Sequence, residues 1–106
     1  VFALNEKAGT LPSTMFEIIT GSFYNVPVHK NYGKLMVDGT YDSPGESVTL
    51  GFKDTEMFLD AGHTYQVPLP YASIARDRFL AAMAAGDSDR DFVVLLERAR
   101  QDAGLR

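Results

Sequence analysis

The sequence predicts an all-α domain. Apolar residues recur at three- and four-residue spacing, glycines and prolines stand where helices would stop or start, and no stretch alternates apolar and polar residues between turn signals. The best strand candidate, residues 26–29, is short and carries Pro27. Self-similarity at a fixed period is absent, so one bundle of five to six helices is expected rather than a repeat array.

Val1 to Ala8 read as the last two turns of a helix that stops at Gly9, a residue suited to the left-handed position beyond a helix end. So short a helix needs docking or a longer upstream helix. The chain therefore reads either as a piece of something larger or as an engineered or processed start in a helix-prone loop. Pro12 opens a second helix to residue 20, with Met15, Phe16, Ile18 and Ile19 as its apolar face and Gly21 as its stop. Leu11 stands where a capping Ser, Thr, Asp or Asn belongs, which leaves the first amides to Thr10, Ser13 or water. Residues 24–37 hold Pro27, Tyr32, Leu35 and Met36, and Gly33 predicts one helix with a break or two short ones before Asp38-Gly39 ends it.

A turn-rich connector over residues 39–46 precedes a long helix to about Tyr65, whose expected buried stripe is Val48, Phe52, Thr55, Phe58, Leu59 and Gly62. Pro70 opens a helix over about 70–85 that should bury Ile74, Phe79, Leu80 and Met83 and end at Gly86. Ser88-Asp89-Arg90-Asp91 resembles a capping box, and Phe92, Val93, Leu95, Leu96 and Ala99 give the last helix its face before Gly104.

A chain of 106 residues that is 45% hydrophobic and 23% charged describes one soluble globular domain. Ten basic against fourteen acidic side chains, with no basic run, exclude the cationic footprint of nucleic-acid binding. The lack of cysteine removes disulfides, thiolate nucleophiles and cysteine-ligated zinc, and fits a cytoplasmic protein. No apolar run approaches the roughly 20 residues of a membrane span, and no signal-peptide core is present.

Chemical candidates are few. His29 and His63 are far apart and neither has a second ligand type at helical spacing, so no metal site is expected. No serine sits in a Gly-x-Ser-x-Gly elbow. The pair Lys53-Asp54 stands out, because it is set into the long amphipathic helix. On a helical wheel Lys53 shares a face with Glu46, Thr49, Glu56 and Asp60, and an ion pair with Glu56 worth a few tenths of a kcal/mol is its ordinary reading. Asp54 has Leu50, Met57, Phe58 and Ala61 as helical neighbours, so its carboxylate borders apolar surface and calls for a partner. Gly51 costs the helix roughly 1 kcal/mol relative to alanine, which points to a close backbone contact.

Taken together, Glu6-Lys7-Ala8-Gly9, Pro12, Ile19-x-Gly21-Ser22, Asn31-Tyr32-Gly33-Lys34-Leu35-Met36, Gly39-x-Tyr41-Asp42-x-Pro44, Lys53-Asp54, Val67-Pro68-Leu69-Pro70, Ala81-Ala82-Met83-Ala84-Ala85-Gly86 and Asp91-Phe92 resemble the C-terminal domain of the 3-hydroxyisobutyrate (β-hydroxyacid) dehydrogenase family. The resemblance covers nearly the whole chain, and its specificity lies in order and spacing. It implies a helical domain like the C-terminal domain of 6-phosphogluconate dehydrogenase. In such an enzyme an N-terminal Rossmann domain binds NAD or NADP, while the helical domain closes the substrate cleft and makes homodimer contacts.

The chain has no Gly-x-Gly-x-x-Gly turn, so no tight dinucleotide binding and no activity are expected of it alone. The resemblance places the proton-transferring lysine upstream of Val1, so no catalytic residue is expected here. Lys53 matches the family lysine that reaches the cofactor, and Asp54 the adjacent acid that orders the cleft. Glu46 departs from the pattern, standing where many relatives place phenylalanine against the substrate, so a plain branched hydroxy acid is in doubt. A free-standing helical interaction module without that chemistry is the alternative. The helix at residues 1–8 leads us to expect self-association, and sedimentation at high protein concentration should show a species heavier than the monomer; a lone monomer would count against it.

Overall fold

Glycine and proline set most helix boundaries in the computed structural model, which describes residues 1–105. The elements are α1 (Phe2–Lys7), α2 (Pro12–Thr20), α3 (Pro27–Asp38), α4 (Val48–Tyr65), α5 (Pro70–Ala84), a 3-10 turn at Phe92–Val94 and α6 (Leu95–Asp102). The all-α expectation is met: extended pairing among the described residues is confined to an isolated bridge between Ser47 and Asp91. No helix among them is long and apolar enough to cross a membrane. Pro12, Pro27 and Pro70 each occupy a first helical turn, where the missing N–H would have had no partner. No side chain caps α2, so neither Thr10 nor Ser13 takes the role left open by Leu11.

The helices pack as two units. One comprises residues 1–40 with the chain from Leu96 onward. Here Gly33 does not break α3, which runs unbroken from Pro27 to Asp38. A Cβ at Gly33 would lie 2.9 Å from Cδ2 of Phe16, so the glycine is the place where α2 rests its aromatic ring on the backbone of α3. No residue of α2 is fully buried, and Ile18, expected on its apolar face, is exposed. The short α1 is docked through buried Phe2 and Ala3 and through Arg100, whose Nη2 donates to Glu6 Oε1 at 2.6 Å and whose Nη1 donates to Glu97 Oε1 at 3.1 Å. Burial works against the Arg100 charge, but the two carboxylates outweigh it and hold its pKa above the ordinary value.

The second unit, Tyr41–Leu95, is built on the α4–α5 pair. Small residues of α4 admit close neighbours: a Cβ at Gly51 would come within 2.8 Å of Cζ of Phe79 on α5, and one at Gly62 within 2.9 Å of Leu69 Cδ1 and the Val67 carbonyl in the connector that follows α4. The buried arc of α4 holds Val48, Gly51 and Gly62, with Phe52, Thr55 and Leu59 half-buried beside them. On α5, Phe79 and Ala82 are buried. Three expected core residues lie outside this contact, Phe58 being 67% exposed, Ile74 60% and Leu80 44%. Glycine at position 51 narrows the contact with α5 onto one ring, leaving those larger side chains on other faces.

At the end of α4 the left-handed position is taken by Gln66 at φ 58°, while Val67 N–H donates to the Gly62 carbonyl at 2.8 Å. A side chain with a Cβ is disfavoured there by about 1 kcal/mol. We predict that Gln66→Gly raises stability by about 0.5–1 kcal/mol. Gly51→Ala should lower it by about 1–2 kcal/mol, the clash with Phe79 outweighing the gain in helix propensity. Urea unfolding of both variants, followed by circular dichroism, checks the opposite signs.

Candidate functional site

The start of α4, which sets where Lys53 and Asp54 stand, is built by residues far along the chain. The first amides of a helix have no partner within it. Here Val48 N–H donates to the Arg90 carbonyl at 2.9 Å and Thr49 N–H to the Ser88 carbonyl at 3.1 Å. Thr49 Oγ1 donates to that same carbonyl at 2.9 Å. Ser47 Oγ accepts from Leu50 N–H at 3.2 Å as the side-chain cap.

The segment 88–92 is itself held by Asp91, which is 0% exposed. Its Oδ1 accepts from Val93 N–H and its Oδ2 from Gly45 N–H, both at 3.1 Å. Its own N–H donates to the Tyr41 carbonyl at 2.8 Å, and Phe92 N–H donates to the Glu46 carbonyl at 2.9 Å. The expected capping box at Ser88 is thereby corrected: Asp91 caps the turn, and Ser88 gives its carbonyl to α4. Arg90 completes the frame, with Nε donating to Asp42 Oδ1 at 2.9 Å, Nη1 donating to Asp87 Oδ1 at 3.1 Å and Cζ 5.3 Å above the centre of the Tyr41 ring. The hydrogen bond to Asp87 raises its pKa above the ordinary value, burial opposes, and Asp42 adds to the rise.

On this frame stand the three residues singled out in the sequence. Glu46 is half-buried at the end of the connector, before the cap Ser47, so it lies outside α4 and does not share a helical face with Lys53. Lys53 and Asp54 are both exposed, and among the described residues neither side chain has a hydrogen-bond or ion-pair partner. The expected Lys53–Glu56 pair does not form; Glu56 turns Oε1 into the fold, where it is buried without a hydrogen bond. Asp54 keeps the apolar surroundings that its spacing predicts. With Met57, Phe58 and Ala61 it lines an open depression of about 280 Å³. The partner that this placement called for is not supplied by the described residues.

Asp91 and Arg90 are the residues that sequence reasoning underrated. The signal was present, since an aspartate immediately before Phe92-Val93-Val94 is itself a helix-start signature. The histidines stay apart from this region: His29 Nδ1 donates to the Tyr24 carbonyl at 2.8 Å, and His63 is exposed near the end of α4. No group of three or more His, Cys, Asp or Glu side chains able to hold a metal ion occurs among the described residues.

Known proteins resemble this chain in sequence and in fold. A family profile described as the NAD-binding part of NADP-dependent 3-hydroxyisobutyrate dehydrogenase matches residues 1–99. The oxidoreductase YfjR of Bacillus subtilis is 31% identical over 96 residues, covering 91% of this chain and 33% of that protein. L-threonate dehydrogenase of Escherichia coli is 32% identical over 89 residues, covering 84% of this chain and 29% of its own length. A crystal structure of 3-hydroxyisobutyrate dehydrogenase from Salmonella typhimurium superposes with a TM-score of 0.82 at 28% identity, over 91% of this chain and 33% of that one. The chain thus spans about a third of the length of these relatives.

The two halves of this region should respond differently to mutation. Asp91→Asn turns an amide donor toward an N–H and should cost about 2–3 kcal/mol. Lys53→Ala and Asp54→Asn, at exposed unpaired positions, should stay within about 0.5 kcal/mol of the parent chain. Thermal melts of the three variants under one buffer test that separation.

Proposed function

The chain belongs to the NAD-binding family of NADP-dependent 3-hydroxyisobutyrate dehydrogenase, and on that premise we propose that it is the C-terminal helical domain of an NAD(P)-dependent dehydrogenase that oxidises a small 3-hydroxy acid or reduces its semialdehyde. In this reading the domain closes the substrate cleft, contributes homodimer contacts and is inactive without its Rossmann domain. The observation that carries it is the ammonium of Lys53, exposed and unpaired among the described residues on a helix whose start is tightly fixed. With no ion-pair partner among the described residues, that charge is available to a ligand.

The donor set suits part of a dinucleotide. An ammonium offers charge and three donors to a phosphate, a ribose hydroxyl or a substrate carboxylate. Lys53 would hold that portion of NAD or NADP, and the bound cofactor supplies the nicotinamide that exchanges a hydride with the substrate. Asp54 orders the cleft by hydrogen bonding. Glu46 offers a carboxylate acceptor where relatives of the resembling family place phenylalanine, which suits a substrate with an additional hydroxyl. The polyhydroxylated substrate in the name of the L-threonate dehydrogenase relative supports that choice.

Kinetics of the longer parent protein test this assignment. Lys53→Ala should raise the KM for NAD or NADP about tenfold or more, the usual loss for a charged hydrogen bond, with little change in melting temperature. Glu46→Phe should shift preference toward branched, less hydroxylated acids. Unchanged cofactor KM in the lysine variant would remove Lys53 from the site. Calorimetric titration of NAD and NADP into the 106-residue chain should show no tight binding, and micromolar affinity there would overturn the division between the two domains.

A further inference from the structure

Helix α4 has a second apolar face. Leu50, Asp54, Met57, Phe58, Ala61 and Tyr65 are all exposed, and their spacing places them within an arc of about 100° at about 100° per residue. The arc is distinct from the one that meets α5, and Lys53 and Asp60 border it on the polar side. It runs along roughly four turns, about 22 Å at 1.5 Å per residue, and contains the depression beside Asp54. That is the footprint of a helix, and a contiguous apolar stripe of this kind marks an interaction surface.

Asp54 decides the occupant. It is the one ionised side chain in the stripe and has no partner among the described residues. A wholly apolar cover would strip water from its carboxylate without compensation. A second copy fares no better. Antiparallel two-fold pairing over the full stripe centres between Met57 and Phe58 and sets Asp54 against Ala61, while parallel pairing sets Asp54 against Asp54. Neither arrangement gives the carboxylate a cation.

We propose that this stripe seats an apolar helix carrying one lysine or arginine that pairs with Asp54, and that the helix belongs to the part of the longer protein outside these residues. The source rests on the dehydrogenase reading above, in which the relatives are about three times as long as this chain. The seat deepens the role given to Asp54: the acid orders the cleft by holding a cation of the neighbouring helix in register.

The test uses the absence of cysteine from this chain. Met57→Cys, at the middle of the stripe, and Asp60→Cys, outside it, are introduced separately into the 106-residue chain and into the longer parent. Maleimide labelling at each position is then followed by peptide mass. In the parent, position 57 should label at least tenfold more slowly than position 60 at every protein concentration, and in the 106-residue chain the two rates should be alike. Adding Asp54→Lys to the parent should restore fast labelling at position 57, with Asp54→Asn giving a smaller increase.

Equal rates in the parent would overturn the proposal. So would protection of the shorter chain that grows with concentration, the mark of a second copy, or protection indifferent to Asp54→Lys. Protection in a parent that turns over no hydroxy acid with NAD or NADP would keep the seat and remove the dehydrogenase reading. Turnover without protection would keep that reading and remove the seat.

Discussion

The unit that carries the candidate site depends on one buried carboxylate satisfied by backbone amides. Asp91 is fully buried, and a carboxylate in that position is tolerable only if its lone pairs are occupied. Gly45 and Val93 occupy them, one from the connector before α4 and one from the turn that leads into α6. Because the Asp91 carboxylate fixes both segments, residues 88–90 lie where their carbonyls can take the free amides of α4. Lys53 and Asp54 inherit their positions from that arrangement. Among the described residues neither side chain takes part in a hydrogen bond or ion pair of that frame.

Packing in both units follows a second rule, the exchange of a side chain for proximity. Gly33 receives Phe16, and Gly51 receives Phe79. In each pair an aromatic ring lies on helical backbone at a distance that a methyl group would prohibit. The propensity lost by placing glycine within a helix, roughly 1 kcal/mol, is offset by the area the ring buries. The same economy of contact leaves Phe58, Ile74 and Leu80 outside the core, so α4 and α5 are apolar beyond the face they share.

The helices were legible in the sequence because their boundaries are local. Pro12, Pro27 and Pro70 open helices and Gly39 closes one by constraints that act within a few residues. Side-chain burial was less legible, because periodicity gives an apolar arc and not the partner that meets it. Phe58 fits the stripe of α4 as well as Val48 does, and only the placement of Phe79 over Gly51 separates them. Gly33 was misread for a related reason: a glycine that breaks a helix and one that admits a neighbour look alike until the neighbour is known. Within the candidate site, the apolar setting of Asp54 was readable from spacing, whereas the solitude of Lys53 depends on which way Glu56 turns. The clamp at Asp91 reaches across 46 residues, beyond any local pattern.

Those long reaches bear on the order in which the chain becomes structured. Glu6 meets Arg100 across 94 residues, and Asp91 meets Gly45 across 46. During synthesis α1 and the first turn of α4 would emerge long before the groups that hold them, and a helix as short as α1 gains little by forming alone. Closing such loops costs entropy before any contact repays it. Helix α1 is therefore among the last of these helices to settle, and both it and the start of α4 reach their final form only after residues 88–100 have been released.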